Sequence, residues 1–237
     1  MTIQLYQFKT GYGVPNLSPF CMKVEVWLRL AQLDYEIKWT FNPGKGPKGK
    51  LPFIKDGGNI IADSQDIIEH LTTAYGVDLD ANLNAEQKAN AHAFRKMLEE
   101  STYFALLHQR WIDPATWPKS RAVFFGGLPP GLKTLLPRVA QKKVARDLQG
   151  QGTGRHSPEQ IMRRAAQDIA ALAEHLNVKP YFMGDRATTI DATVYAFLAN
   201  MWEIELDTPL KHLVGKHKNL VAYCDRMRAK CFGEKKK

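Results

Sequence analysis

Cysteine is scarce. The 237 residues contain three, too few for a disulfide framework, and no His, Cys and Asp grouping has metal-ligand spacing. No uninterrupted apolar run approaches the ~20 residues that cross a bilayer. Met1 to Phe8 has no basic region ahead of an apolar stretch, so no secretory leader is expected and a cytoplasmic address is the default. Internal repeats and low-complexity tracts are also missing. No RNA-binding motif or basic sheet interleaved with aromatics supports a nucleic-acid partner. The composition that remains, 44% hydrophobic and 24% charged, is that of an ordinary globular protein.

Against this background, three short signals stand in a fixed order. The first follows a β-rich run, Ile3, Leu5 and Phe8 with Tyr6 between, which Gly11-Tyr12-Gly13-Val14-Pro15 cannot continue. Ser18-Pro19-Phe20-Cys21 then has the form of a helix start, with Ser18 at the N-cap and Pro19 at the first helical position. Val24, Trp27, Leu28 and Ala31 carry the helix onward at helical spacing. The second signal is Leu51-Pro52-Phe53, a turn after the Lys- and Gly-rich loop Asn42 to Lys50; cis geometry at such a bond has modest cost. Phe53-Ile54 and Ile60-Ile61 read as a hairpin through Asp56-Gly57-Gly58-Asn59. The third, Asp63-Ser64, opens a helix carrying Ile67, Ile68 and Leu71.

A helix start is a site for anions, because free N–H groups and the positive end of the helix dipole face outward. A thiolate above Ser18 would be favoured, since helix N-termini lower thiol pKa values and a serine hydroxyl can donate to the sulfur. Ser64 and its neighbouring amides can hold a carboxylate, and Asp63 an amino group.

After Val77 the pattern is helical almost throughout. Asn84 to Arg110 reads as one long helix, and Ser157-Pro158-Glu159-Gln160 and Thr188-Thr189-Ile190-Asp191 as capping boxes. The second box opens the apolar helix Ala192 to Trp202, and its expected role is in folding. The organisation is therefore residues 1–77, residues 84–232, and a basic tail at 233–237 with Lys235 to Lys237 frayed.

The order of strand, helix, strand, Leu-Pro turn, hairpin and Asp-Ser helix resembles the N-terminal domain of the glutathione transferase superfamily. Ser18 to Glu25, Gly152 to Ser157, and Phe182-Met183-Gly184-Asp185 with Thr188 to Asp191 look like its Fax (failed axon connections) and metaxin-related branch. The resemblance covers nearly the whole chain. It implies an α/β thioredoxin-like domain, an all-α helical domain and glutathione as cosubstrate, conjugated to a small hydrophobic electrophile. Leu51 and Pro52 would meet the cysteinyl backbone, Asp63 and Ser64 the γ-glutamyl end, and Lys48 or Lys50 the glycyl carboxylate. Family analogy also implies a homodimer. Members with transport or adaptor roles keep open a non-catalytic module of the same fold.

Other candidates surround this reading. Tyr12 is a substitute phenol donor if Ser18 only caps the helix. Cys21 lies three residues after Ser18, like the second cysteine of a CxxC pair. A packed, inert thiol is the preferred reading, with a glutaredoxin-like thiol-disulfide enzyme as the alternative. His108, Arg110 and Trp111 end the long helix, where Phe104 and Trp111 are candidates to line the second substrate's pocket. Arg155 and His156 suggest a structural network at a helix start. Net charge is +9, and Pro118 to Arg164 holds ten basic residues against Asp147 and Glu159, a local excess of +8. The same segment contains Phe124 to Leu132, read as an apolar loop broken by turn formers. A solvated helix face with that loop packed over the site is preferred; weak contact with an anionic membrane surface is the alternative.

Overall fold

The computed structural model describes residues 2–40 and 42–233, so the expected frayed tail, Lys235 to Lys237, lies outside the described residues. β1 (Ile3–Gln7) turns Ile3, Leu5 and Gln7 inward. Its Tyr6 stacks on Phe53 with ring centroids 4.3 Å apart. After the glycine-rich turn, Ser18 caps α1 (Pro19–Leu30) from extended backbone, its Oγ accepting the Cys21 N–H at 3.3 Å.

β2 (Tyr35–Trp39) runs parallel to β1. A cis Leu51–Pro52 bond leads into β3 (Phe53–Asp56), antiparallel to β1, and then β4 (Asn59–Ala62). Gly57 and Gly58 join the last two strands at φ of 55° and 92°, the backbone of a type I′ turn that side chains resist. The sheet order is β2-β1-β3-β4. α2 (Ser64–Tyr75) buries Ile67, Ile68 and Leu71.

The helix expected over 84–110 is divided. α3 (Ala85–Met97) passes through a π turn at Leu98–Thr102 into α4 (Tyr103–Trp111). Within that turn Leu98 and Glu99 are buried while the Ser101 and Thr102 hydroxyls both donate to Asp168, at 2.9 and 2.8 Å. Of the expected apolar loop Phe124 to Leu132, residues 126–131 lie outside any helix and only its two ends are helical. α5 (Trp117–Phe125) carries both phenylalanines, and α6 (Leu132–Gln151) begins at Leu132. The reason is aromatic packing: Trp111 stacks on Trp117 at 5.4 Å and on Phe124 at 5.2 Å, so positions 117 and 124, seven apart, present one helical face to it.

Both capping boxes form, opening α7 (Pro158–Leu176) and α8 (Thr189–Trp202); α9 (Pro209–Gly215) and α10 (Lys218–Phe232) complete the helical part. Every residue of α8 from Ile190 to Met201 is buried. α8 packs on α1, where Phe20 meets Phe197 edge-on at 5.5 Å and the Trp27 indole donates to Thr189 at 3.4 Å. A single apolar core therefore continues from the sheet into the helices. Among the described residues no helix is long and apolar enough to cross a membrane.

Candidate functional site

The three sequence signals are linked through α1. Cys21, one turn into α1, packs with Leu51, Phe53 and Ala62, which joins the helix start to the Leu51–Pro52 turn. Lys23, two residues on, donates to Ser64 Oγ at 3.3 Å and Gln65 Oε1 at 3.1 Å, tying α1 to the start of α2. Lys48 reaches the same helix through Asp66 at 2.7 Å, while Lys50 is exposed at the end of its loop.

Each group has defined chemistry. Ser18 Oγ accepts the Cys21 N–H, which does not use its hydroxyl proton; the Cys21 thiol is its other hydrogen-bond neighbour. An ammonium is donor-only, so the buried Ser64 Oγ must accept from Lys23, a bond that does not use its own proton. Asp63 caps α2 by accepting the Gln65 N–H at 2.9 Å and holds φ at 87°, a strained value for a residue with a side chain. The arrangement places hydroxyl groups at two helix starts and an exposed carboxylate between strand and helix.

Lys23, Gln65 and Glu99 lie outside the three motifs. The ammonium is fully buried and pairs with Glu99 at 2.7 Å. Burial lowers the Lys23 pKa, with Glu99 opposing the fall. Arg95 meets the other Glu99 oxygen at 3.2 Å. A sequence sign did exist, since Lys23 and Glu25 interrupt an otherwise apolar stretch of α1. Glu25 accepts from Gln7 and Arg29 at 2.7 Å each and from Tyr35 at 3.2 Å, clamping α1 to the sheet.

The Ser18 loop is held from the helical domain. Arg110 is buried, donating to the Leu17 carbonyl at 2.5 Å and to Asn200 Oδ1 at 2.9 Å. Asn200 donates to the Asn16 carbonyl at 3.1 Å, and Asn16 Oδ1 accepts the Ser18 N–H at 3.0 Å. Arg110 thus positions the loop rather than bordering a pocket. Burial pulls its pKa down to about 10, so it stays cationic near neutrality.

The remaining candidates fall outside this cluster or are engaged elsewhere. The Tyr12 hydroxyl donates to the Lys119 carbonyl of α5, and burial raises its pKa, so the phenol braces the loop. Cys21 is fully buried and its thiol is pushed up to about 12, burial outweighing hydrogen bonds with Ser18 and the Phe8 backbone. Such a thiol holds almost no thiolate at neutral pH. Phe104 lies edge-on to Tyr103, which meets Phe20 at 4.9 Å, so it belongs to an aromatic row leading back toward Ser18. Trp111 packs under α5, and His108 is half-buried with its pKa lowered by burial. Arg155 caps the Gln149 carbonyl at 3.2 Å. His156 lines a cavity of about 180 Å³ between α6, α7 and the π turn; none of its walls comes from the sheet domain.

A thioredoxin-like sheet domain packed through its first helix on an all-helical domain defines the glutathione transferase class of architecture. The β-etherase LigF from Sphingobium sp. strain SYK-6 shares this fold at a TM-score of 0.65, with 18% identity over 97% of this chain and 96% of that one. Residues 19–116 match the glutathione S-transferase N-terminal domain and residues 165–227 the glutathione S-transferase C-terminal domain. Isoprene-epoxide–glutathione S-transferase of Rhodococcus sp. (strain AD45) is 33% identical over 95% of this chain and 98% of its own length. Failed axon connections of Drosophila melanogaster is 34% identical over 97% of this chain, and human metaxin-1 30% identical over 94%. The chain spans only 58% and 49% of those two proteins. The chain belongs to the glutathione S-transferase family.

Proposed function

We propose that the protein conjugates the glutathione thiolate to a small hydrophobic electrophile. The observation that supports this reading is that α1 links the Ser18 cap to Leu51 through Cys21 and to Ser64 through Lys23. Glutathione would lie extended across the sheet domain. Its cysteinyl backbone would pair with Leu51, its γ-glutamyl carboxylate with Ser64, its amino group with Asp63 and its glycyl carboxylate with Lys48 or Lys50. Ser18 would donate to the thiolate. The name of the Rhodococcus relative suggests an epoxide as the electrophile. Sulfur would then attack a ring carbon, the C–O bond would open onto oxygen, and water would protonate the alkoxide. The protein's part is a lowered thiol pKa and positioning. A two-fold dimer and a cytoplasmic address complete the proposal by family analogy.

Calorimetry with glutathione tests the groove, and Ser64→Ala should weaken binding at least about tenfold. Ser18→Ala should slow conjugation about thirtyfold and raise the bound thiol's pKa, the effect of losing one charge-assisted hydrogen bond of ~2 kcal/mol. Unchanged rate and thiol pKa would remove Ser18 from the mechanism. Cys21→Ser should leave conjugation within about twofold, because a buried thiol of high pKa has no part in it; loss of mixed-disulfide reduction in that variant would revive the thiol-disulfide reading.

A second reading, a non-catalytic interaction module, draws on the exposed basic surface of α6 and on the likeness to Failed axon connections and metaxin-1. A protein that ignores glutathione altogether would favour it.

A further inference from the structure

The segment 117–164 lies between the two stretches matched by the family, and it carries the +8 charge excess. It also concentrates uncovered apolar surface. Of the nine large hydrophobic side chains exposed among the described residues, five are Val123, Leu132, Leu135, Leu136 and Val139. Leu135 is 60% exposed and Val139 56%.

Their spacing is ordered. Leu132, Leu135, Leu136 and Val139 follow one another at i, i+3, i+4 and i+7, a single face of α6. Continuing the same face by i+10, i+11 and i+14 gives Lys142, Lys143 and Arg146, all exposed. The opposite face holds the helix to the protein through buried Pro137 and Leu148 and through Gln141, which donates to the Trp111 carbonyl at 2.8 Å. One outward stripe therefore runs from aliphatic at its N-terminal half to cationic at its C-terminal half, with Asp147 the one acid at its border.

We propose that this α6 stripe docks the protein on an anionic lipid bilayer surface. Leu132, Leu135, Leu136 and Val139 enter the boundary between headgroups and acyl chains, while Lys142, Lys143 and Arg146 lie among the anionic headgroups. Charge complementarity selects this occupant. A second copy of the stripe would gather six cations at one contact with only the two Asp147 carboxylates between them, and a nucleic acid would neutralise the basic half but leave the aliphatic half in water.

Vesicle co-sedimentation tests it, using phosphatidylcholine vesicles with and without about 30% phosphatidylserine, near physiological salt. The unmodified protein should bind the anionic vesicles, bind the neutral ones far more weakly, and release as salt rises. Lys142→Gln with Lys143→Gln and Arg146→Gln should weaken binding about hundredfold, roughly fivefold per charge. Leu135→Ser with Val139→Ser should weaken it at least about tenfold. Equal binding to both vesicle types, or no effect of the serine pair, overturns the proposal. So does failure to bind lipid together with a dimer that the serine pair dissociates, or a preference for an oligonucleotide that competes the vesicles away. The salt and lipid dependence of the unmodified protein decides the matter even if a variant misfolds.

Discussion

Asp191→Ala should cost about 4 kcal/mol of folding stability, a large share of the ~5–15 kcal/mol that holds an ordinary domain folded. The carboxylate is fully buried at the first turn of α8. One oxygen accepts the Phe182 N–H at 2.8 Å and the Tyr223 hydroxyl at 3.0 Å; the other accepts the Thr188 N–H at 2.8 Å and its hydroxyl at 3.0 Å. Alanine leaves the Phe182 N–H and the Thr188 N–H and hydroxyl without this acceptor, while the Tyr223 hydroxyl keeps the backbone carbonyl of residue 191 at 3.3 Å, and each unsatisfied buried group costs ~1–3 kcal/mol. The damage would reach beyond the cap. α8 packs on α1 through Phe197 and Thr189, so loss of its first turn loosens the surface that holds Ser18. Asp191→Asn keeps one acceptor oxygen but turns an NH2 toward the donors on the other side, and should fall between wild type and alanine. Chemical denaturation of the three proteins measures the order; equal stability would mean that the box contributes nothing beyond local capping.

This box was legible in the sequence because a capping box is local: four consecutive residues specify it. The same holds for the Ser18 cap, the Gly57-Gly58 turn and the Leu51-Pro52 turn, each written in adjacent residues. What stayed hidden depends on contacts across long stretches of chain. Lys23 and Glu99 are 76 positions apart, and neither residue type suggests the other. The π turn that buries Glu99 has no compositional mark, since the surrounding residues suit an α-helix. Arg110 was visible as a charge near the end of a helix, but its partners Leu17 and Asn200 lie some ninety residues away on either side. Period-based reading assigned Phe124 to a loop because Gly126-Gly127 and Pro129-Pro130 follow it. Stacking on Trp111 overrides those breakers up to Phe125.

Removing Glu99 should harm the protein more than removing Lys23, and removing both should do little. In Lys23→Met, Glu99 keeps Arg95 at 3.2 Å, so a charge partner survives. In Glu99→Leu, the Lys23 ammonium stays in the interior with only the neutral oxygens of Ser64 and Gln65 for company. A buried charge stripped of its counter-ion typically costs ~3–5 kcal/mol, so about 4 kcal/mol is expected for Glu99→Leu and about half that for Lys23→Met. The double variant replaces an ion pair with apolar contacts and should return to within ~1 kcal/mol of wild type.

A pH titration gives the Glu99→Leu result a second, independent signature. Burial already lowers the Lys23 pKa while Glu99 opposes that shift. Without Glu99 the folded value falls further below the unfolded one near 10.4. Between those two values the unfolded chain holds a proton that the folded chain has lost, so stability of the variant rises with pH through that window. A flat stability profile from neutral pH to about pH 10 would mean that Lys23 keeps its charge by other means. The double variant then separates folding from binding. It retains the fold but lacks the ammonium that Ser64 Oγ accepts from and that orients its hydroxyl. Glutathione affinity should therefore drop about tenfold while stability does not, the share of one hydrogen bond to a charged acceptor.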